Sequence, residues 1–256
     1  MGMAKTTEST ASMSHGNSMK SSRITYAIGD VHGRADLLER MLDQIQTDAD
    51  QRAAEYRIIF LGDIIDRGPD SRRAMDLVHA TLNASPDSRL ILGNHEEYLL
   101  RVLDCSEESQ ETAHNWIKHG GYQTLDSYGL VDCRSIQHLA EEFGRRFAQH
   151  LEMMRKADSI IIDGNYAFVH AGIKPGVPLA EQDEVISRWI RGDFLNHTAA
   201  HEKIIVHGHT ITASHRPEIY SNRIAIDTGA YATGVLTAAA IITDNVPERI
   251  DFLLAS

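Results

Sequence analysis

The sequence is poor in cysteine and lacks any long hydrophobic run. Its 256 residues include two cysteines, Cys105 and Cys133, which form no CxxC pair. Two thiols in a chain of this length exclude a disulfide framework and are typical of a reduced, cytoplasmic protein. No apolar stretch approaches the roughly 18 residues of a membrane-spanning helix, so we expect no membrane partner.

Basic residues are also in the minority. Lys and Arg number 25 against 36 Asp and Glu, which gives a formal net charge of -11. A negative field of this size repels polyanions, so we expect no nucleic-acid partner, and a phosphate substrate would need local metal or arginine. The sequence contains neither a GxxxxGK phosphate loop nor a GxSxG nucleophile elbow, which excludes these two kinds of site.

Length and composition favour one large domain. The chain is 42% hydrophobic, which is enough for a single substantial core. Residues 1–22 are rich in Ser, Thr, Met and Gly, show no periodicity and lack the apolar core of a signal peptide. We expect a disordered tail over residues 1–22 and a single domain over residues 23–256.

Strand-like and helix-like segments alternate along the first hundred residues. Apolar runs at 23–28, 56–61 and 89–92 have strand character, and amphipathic helical patterns follow them. This β-α-β-α-β order implies right-handed crossovers and a largely parallel sheet, so the expected fold class is α/β. Ligands of such sheets gather at the carboxyl ends of the strands.

The second half of the chain has a different pattern. Residues 104–157 are polar, mostly helical in pattern and interrupted by glycines. We interpret them as a helical insertion that borders the site rather than as a separate domain. Further strands, the first two of them forming a hairpin, are expected at 160–162, 166–169, 203–206, 224–226 and 236–242.

Three short glycine-containing motifs follow the first three predicted strands. They are Gly29-Asp30-Val31-His32-Gly33, Gly62-Asp63-Ile64-Ile65-Asp66-Arg67-Gly68 and Gly93-Asn94-His95-Glu96. Carboxylate oxygens and imidazole nitrogens that converge at one sheet edge suit a pair of divalent cations. The motifs therefore favour metal-assisted hydrolysis of a phosphate ester.

Six side chains are candidates for metal ligands. They are Asp30, His32, Asp63, Asn94, His170 and His209. Asp30 and His32 are two residues apart on one extended segment, so their side chains share a face and can reach the same cation. Asp63 leaves the adjacent strand at the same edge, where a carboxylate can bridge two cations. The last three, an amide and two imidazoles that each follow a β-rich run, can complete the second site.

Four further side chains are candidates for catalysis and phosphate binding. His95 can protonate the leaving oxygen as a general acid, and Asp66 can hydrogen-bond His95 and raise its pKa. Arg67 can clamp phosphate oxygens through its planar fork, and Arg191 is a second candidate for this role. Asn94, beside the acid, is also expected to contact the phosphate.

Other notable residues are expected to be structural. His207 shares a strand end with His209 but should point to the opposite face, so it is left out of the site. The remaining histidines, His150 among them, are expected to lie in solvent. Trp116 and Trp189 are expected to be packing residues rather than platforms for a substrate.

The motifs in this order resemble those of a known family. GDxHG, GDxxDRG and GNHE, followed by His170-Ala171-Gly172 and Gly208-His209-Thr210, are similar to the motifs of the calcineurin-like metallophosphoesterases. The resemblance covers about residues 24–235. The GDxxDRG and GNHE forms point to the phosphoprotein phosphatase branch, which includes small bacterial serine/threonine protein phosphatases. The resemblance implies a mixed β-sheet sandwich flanked by helices.

The resemblance also implies a role for each matching position. The first metal would be held by Asp30, His32 and Asp63, and the second by Asp63, Asn94, His170 and His209. The acid pair would be His95 with Asp66, and the phosphate clamps would be Arg67 and Arg191. Manganese is the expected metal, although mixed oxygen and nitrogen ligands also admit iron or zinc.

These expectations lead to one function and two alternatives. We expect a phosphoesterase that removes phosphate from phosphoserine or phosphothreonine, by direct attack of metal-bound hydroxide and without a phosphoenzyme. The alternative enzyme is a symmetrical dinucleoside tetraphosphate hydrolase, a group that we associate with GNHD rather than GNHE. The alternative outside enzymes is a catalytically silent phosphate-binding module, which the complete set of expected residues disfavours.

Overall fold

Two five-stranded β-sheets form the centre of the molecule. The computed structural model describes residues 23–242 and 249–256, and the tail expected over residues 1–22 lies outside them. The strands are β1 Arg23–Ile28, β2 Glu55–Phe60, β3 Arg89–Leu90, β4 Ile160–Asp163, β5 Tyr166–Val169, β6 Ile204–His207, β7 Glu218–Ile219, β8 Arg223–Ala225, β9 Leu236–Ile242 and β10 Arg249–Ala255.

Helices cover the sheets and fill the region between β3 and β4. They are α1 Ala35–Arg52, α2 Ser71–Ala84, α3 Asn94–Leu103, α4 Ser109–Trp116, α5 Tyr122–Tyr128, α6 Ile136–Arg146, α7 Ala148–Arg155, α8 Glu184–Trp189, α9 Gly192–Leu195 and α10 Ala230–Thr233. Helices α4 to α7 occupy the segment interpreted as a helical insertion. In the described ranges, no helix is both long and apolar enough to cross a membrane.

Both sheets are mixed, so the predicted α/β sandwich is confirmed. The first sheet has the order β10-β9-β1-β2-β3, with β1, β2 and β3 parallel and β9 antiparallel to β1. The second has the order β4-β5-β6-β8-β7, with β5, β6 and β8 parallel. The predicted hairpin is present as β4 and β5, whereas β7 and β10 were not predicted.

Strand β3 is shorter than the predicted strand at 89–92. It pairs with β2 only through Arg89 and Leu90. Next to it, Ile91 forms a parallel bridge with Asp158, in which the Asp158 N–H donates to the Leu90 carbonyl at 2.8 Å and the Leu92 N–H to the Asp158 carbonyl at 2.9 Å. This bridge links the end of β3 to the chain that enters the second sheet.

Alternating residues of β2 pack into two different hydrophobic cores. Ile58 and Phe60 pack in the cluster beneath the helices, while Ile59 packs between the sheets with Phe168 and Val206. Successive side chains of a strand point to opposite faces, so a nearly continuous apolar run is what a strand covered on both sides requires. Burial on both faces holds the carboxyl end of β2 between the helices and the second sheet.

Glu96 joins the loops that follow β2 and β3. Its buried carboxylate accepts hydrogen bonds from the backbone N–H groups of Asp63 and Ile64, both at 2.8 Å, and from those of Ile65 at 3.1 Å and Gly93 at 3.0 Å. A carboxylate can accept bonds at both of its oxygens. This interaction holds the turn at Asp63 against the beginning of α3.

Replacing Glu96 by glutamine should destabilise the fold, because the amide nitrogen would face N–H donors. Each buried N–H left unpaired costs about 1–3 kcal/mol. We expect the free energy of unfolding, measured by urea titration, to fall by at least about 2 kcal/mol. Glu141→Gln on the exposed surface of α6 is the matched control and should change it by less than about 0.5 kcal/mol. Equal stability of the two variants would contradict this role for Glu96.

Candidate active site

The candidate site lies where parallel strands of both sheets end. Asp30 follows β1, Asp63 follows β2 and Asn94 begins α3, the helix that follows β3. His170 comes immediately after β5 and His209 two residues after β6. The sandwich brings these five strand ends together, as expected for a ligand site in an α/β fold.

Several site residues have unusual backbone conformations. Left-handed φ angles occur at His32 (46°), Asp63 (51°), Asp66 (72°), Arg67 (66°) and His209 (63°). These five belong to eight non-glycine residues with positive φ among the described ranges. Side chains make this conformation unfavourable, and it is concentrated at functional sites where the surrounding structure enforces it. These conformations occur in the loops that carry the candidate site residues.

A first group of ligand atoms surrounds one oxygen of Asp63. His32 Nε2 lies 3.6 Å from Asp63 Oδ2 and 3.8 Å from Asp30 Oδ2. His95 Nε2 lies 3.9 Å from the same Asp63 oxygen. His32 Nδ1 is within hydrogen-bond distance, 2.9 Å, of the Ile65 carbonyl, which orients the ring and leaves Nε2 for a metal.

A second group surrounds the other oxygen of Asp63. His170 Nε2 lies 3.4 Å from Asp63 Oδ1 and 2.9 Å from Asn94 Oδ1. His209 Nδ1 lies 2.8 Å from the same Asn94 oxygen. His170 Nδ1 is oriented by the Leu61 carbonyl at 2.7 Å. Because its two oxygens face the two groups, Asp63 lies at the position that a bridging carboxylate needs.

Glycines allow the chain to approach the carboxylates closely. A Cβ atom at Gly208 would lie 2.1 Å from Asp30 Oδ1, and one at Gly93 would lie 2.2 Å from Asp63 Oδ1. Any larger residue at either position would displace a candidate ligand. The glycines of the motifs therefore provide the space that the carboxylates occupy.

The donor set fits two divalent cations. His32 and Asp63 lie in one buried cluster of possible ligand atoms, which also contains the acid candidate His95, and Asp63, His170 and His209 form another. His209 Nε2 is buried without a hydrogen-bond partner in the structure. Burial lowers the pKa of His209 to about 2, so its ring is neutral, as a metal ligand must be.

The two buried aspartates differ in charge environment. Burial and the neighbouring Asp227 carboxylate raise the pKa of Asp30 well above its ordinary value. Burial also acts to raise the pKa of Asp63, but His170 and His95 outweigh it and hold this pKa well below its ordinary value. A bound cation would stabilise the ionised form of both carboxylates.

His95 and Asp66 form a buried hydrogen-bonded pair. His95 Nδ1 lies 2.6 Å from Asp66 Oδ2. The same carboxylate accepts bonds from Trp116 Nε1 at 2.7 Å and Thr124 Oγ1 at 2.6 Å. Burial lowers the pKa of His95, but the Asp63 and Asp66 carboxylates outweigh it and place the pKa above its ordinary value. The pair thus has the environment of a general acid.

Two arginines lie beside these groups. Arg67 Nη2 is 3.1 Å from His95 Nε2, and its guanidinium carbon lies 4.7 Å from the centre of the Tyr231 ring. Arg191 is exposed and donates through Nη1 to Thr210 Oγ1 at 3.2 Å. Because Thr210 follows His209, the structure brings both predicted phosphate clamps to the site.

Both tryptophans also donate a hydrogen bond to a carboxylate. Trp116 is buried, as expected, but it also fixes the Asp66 carboxylate. Trp189 donates through Nε1 to Glu97 at 2.8 Å, and its ring centre lies 6.5 Å from that of His209. The interpretation of both as packing residues alone was incomplete, because an indole N–H seeks an acceptor when buried.

The other histidines give a mixed result. His207 is buried with its ring centre 5.0 Å from that of Phe194 and takes no part in the ligand groups, as expected. The expected reason was wrong, because residues two apart on a strand share a face. The two rings separate because β6 ends at His207 and His209 has a left-handed φ of 63°. The expectation that His150 lies in solvent was wrong. It is fully buried, and its Nδ1 lies 2.9 Å from the Tyr128 hydroxyl.

Sequence reasoning missed Asp227, Glu96 as a supporting residue and Tyr231. Asp227 follows β8, which runs parallel to β6, so its position after a strand was an available signal. It accepts a hydrogen bond from the Gly229 N–H at 2.9 Å. Tyr231 gave no such signal, because only the fold brings α10 against His32.

Comparison with known proteins identifies the family. The model of the calcineurin-like phosphoesterases matches residues 25–230. A symmetrical bis(5'-nucleosyl)-tetraphosphatase of Dechloromonas aromatica is 30% identical over 152 residues, 59% of this chain and 44% of that relative. An asymmetrical bis(5'-nucleosyl)-tetraphosphatase of Oceanobacillus iheyensis is 29% identical over 234 residues, 82% of this chain and 86% of that relative. The chain thus spans less than half the length of the first relative.

Solved structures show the same fold. A proposed diadenosine tetraphosphatase superimposes with a TM-score of 0.60 at 18% identity, covering 91% of this chain and 94% of its own. A serine/threonine phosphatase of Saccharomyces cerevisiae superimposes with a TM-score of 0.59 at 13% identity, covering 94% of this chain and 82% of its own. The chain belongs to the calcineurin-like phosphoesterases, a family of metal-dependent hydrolases, as its three motifs predicted.

Proposed function

We propose that this protein hydrolyses a dinucleoside tetraphosphate, the alternative left open by the sequence, rather than a phosphoprotein. The observation that carries this proposal is the presence of an arginine and an aromatic residue on each of two sides of the ligand groups. Arg67 lies over Tyr231 beside His32. On the other side, the Trp189 ring centre lies 6.5 Å from that of His209, and Arg191 donates to Thr210, the residue after His209. Arginines suit phosphates and aromatic rings suit bases, and a dinucleoside polyphosphate carries both.

The relatives support the same substrate. Both relatives described above are named as bis(5'-nucleosyl)-tetraphosphatases. The similarity to the yeast serine/threonine phosphatase, at 13% identity, concerns the fold alone. The GNHE motif, from which a protein phosphatase was expected, no longer favours that substrate, because Glu96 is buried and bonded to backbone N–H groups.

The proposed metal site consists of the six predicted ligands. Asp30 and His32 would hold one cation, the amide and imidazoles of Asn94, His170 and His209 the other, and Asp63 both. Two such cations would lower the pKa of a bound water and offset the charge of the phosphates. Manganese is the proposed metal.

The chain's own residues would then complete hydrolysis. A water molecule loses a proton to solvent and its oxygen forms a bond to phosphorus, while the bond between phosphorus and the leaving phosphate oxygen breaks. His95 gives that oxygen a proton from Nε2, while Asp66 holds Nδ1. Arg67 faces Nε2 in this structure, and a bound phosphate would provide Arg67 with an anionic partner instead. Asn94, which precedes His95 at the start of α3, would contact the same phosphate.

Comparison of substrates tests the proposal. Values of kcat/KM should be highest for diadenosine tetraphosphate, lower for a phosphoserine peptide and lowest for p-nitrophenyl phosphate. Separation of the nucleotide products distinguishes symmetrical cleavage to two ADP from cleavage to ATP and AMP. A higher kcat/KM for the phosphopeptide would reverse the assignment and restore the protein phosphatase.

Metal content tests the ligand set without reference to activity. After loading with manganese and desalting, elemental analysis should approach two equivalents per chain. Asp63→Asn keeps the volume but removes the charge between the two groups, so it should lose most of both equivalents. Asp43→Asn, at an exposed position of α1, is the control and should retain both. Full retention by Asp63→Asn would show that this residue does not bridge.

His95→Asn should reveal acid catalysis through the leaving group. A lost general acid costs about 10²–10⁴ in rate when the departing oxygen needs a proton. Phenolate needs this proton more than p-nitrophenolate, so phenyl phosphate should lose far more kcat than p-nitrophenyl phosphate, at unchanged manganese content. Asp66→Asn should show the same bias in milder form. Equal losses on both esters would assign His95 to phosphate binding instead.

A further inference from the structure

A cleft of about 640 Å³ opens beside the candidate active site. Arg67 and Tyr231 form its end nearest the ligand groups, and Arg34 and Arg73 line it farther along. Its volume falls within the range of about 300–1,000 Å³ typical of small-molecule sites. The cleft is therefore large enough for part of a nucleotide beyond the phosphate that reacts.

Tyr231 is held firmly at the edge of this cleft. It lies in the short helix α10, and Arg34 Nη1 donates to the preceding carbonyl, that of Ala230, at 3.0 Å. Its ring centre is 5.3 Å from that of His32, nearly perpendicular to it. The residue nevertheless remains 37% exposed. A fixed, partly exposed aromatic ring next to a metal-ligand candidate is a suitable surface for a flat base.

The arginines of the cleft differ in their partners. Arg34 is paired with Asp36 at 2.7 Å, and Arg73 with Glu39 at 2.7 Å. Among residues 23–242 and 249–256, no carboxylate forms an ion pair with Arg67. Phosphates therefore find an available cation at Arg67, whereas the far part of the cleft is close to neutral and suits an uncharged nucleoside.

We propose that this cleft binds one nucleoside of the substrate, with the base against Tyr231 and the phosphates extending back to Arg67. This assignment rests on the proposed function, because it identifies where one end of a dinucleoside polyphosphate lies. Arg191 and Trp189, on the His209 side of the site, would then face the other end of the substrate. Tyr231 is a binding residue in this scheme and takes no part in bond cleavage.

The chain offers a matched control for Tyr231. Tyr220 is also exposed, and Arg223 lies over its ring at 3.7 Å. Arg223 pairs with Ile205 near the beginning of β6, whereas His209 follows the end of that strand. Tyr220 therefore lies near the beginnings of the parallel strands of the second sheet, whereas the site lies at their ends.

Equilibrium binding of ADP to the manganese-loaded protein tests the cleft by calorimetry. Stacking on an aromatic side chain contributes about 1–3 kcal/mol per base, so Tyr231→Leu should raise the Kd of ADP about 5- to 150-fold. Tyr220→Leu should not change it. Pyrophosphate, which has no base, should bind to the wild type and to Tyr231→Leu with Kd values that differ far less. An unchanged Kd for ADP in Tyr231→Leu would overturn the proposal.

Turnover separates this proposal from the proposed function. If the wild type cleaves diadenosine tetraphosphate, the ratio of the kcat/KM for this substrate to that for p-nitrophenyl phosphate should fall about 5- to 150-fold in Tyr231→Leu. An unchanged ratio would overturn the cleft assignment and leave the function standing. If the wild type does not cleave it, the function fails, and Tyr231-dependent binding of ADP alone would still support a nucleoside site in the cleft.

Discussion

The candidate site depends on the buried Asp63 carboxylate, which lies between imidazoles supplied by both sheets. One of its oxygens is 3.6 Å from His32 Nε2 and the other is 3.4 Å from His170 Nε2. His32 belongs to the first sheet's loops and His170 follows β5 in the second sheet. An ionised group in a dry interior requires compensating charge, so the two sheets must align their carboxyl ends at this residue. The sandwich, the left-handed turn at Asp63 and the support from Glu96 all serve that alignment.

The helical segment after β3 contributes directly to the chemistry. Trp116 and Thr124 fix the Asp66 carboxylate, and the Gly120 carbonyl accepts the Arg67 N–H at 3.2 Å. These contacts orient both the proposed acid pair and the proposed phosphate clamp. The segment therefore both borders the site and supports it. Changes in its packing would move Asp66 and so alter the orientation of His95.

Substrate choice in this protein is best sought at the edges of the site. The metal-ligand candidates, the proposed acid pair and Glu96 are buried, and in the proposed function only the reacting phosphate would meet the first two groups. Tyr231 and Trp189 stand beside them, with Arg67 and Arg191 close by. Aromatic rings next to arginines distinguish a nucleotide from a simple phosphate, because they contact the part of the substrate that does not react.

Local sequence was sufficient for most of the strands and for the motif residues, but not for β7, β10 or the end of β3. The runs that became β1 and β2 are nearly continuous in apolar residues, and the glycines after them mark tight turns, so Asp30 and Asp63 could be assigned to strand ends. In each case the information lies within a few consecutive residues, where backbone geometry decides the direction of a side chain.

Contacts between distant segments were decided by the tertiary structure. Neither the second role of Trp116 nor the burial of His150 follows from their neighbours in sequence, because Asp66 and Tyr128 meet them only after the helices pack. Tyr231 reaches His32 across about two hundred residues of chain through the antiparallel return of β9. Side-chain periodicity predicts which face of an element is apolar, but the partner on that face depends on the packing of the whole domain.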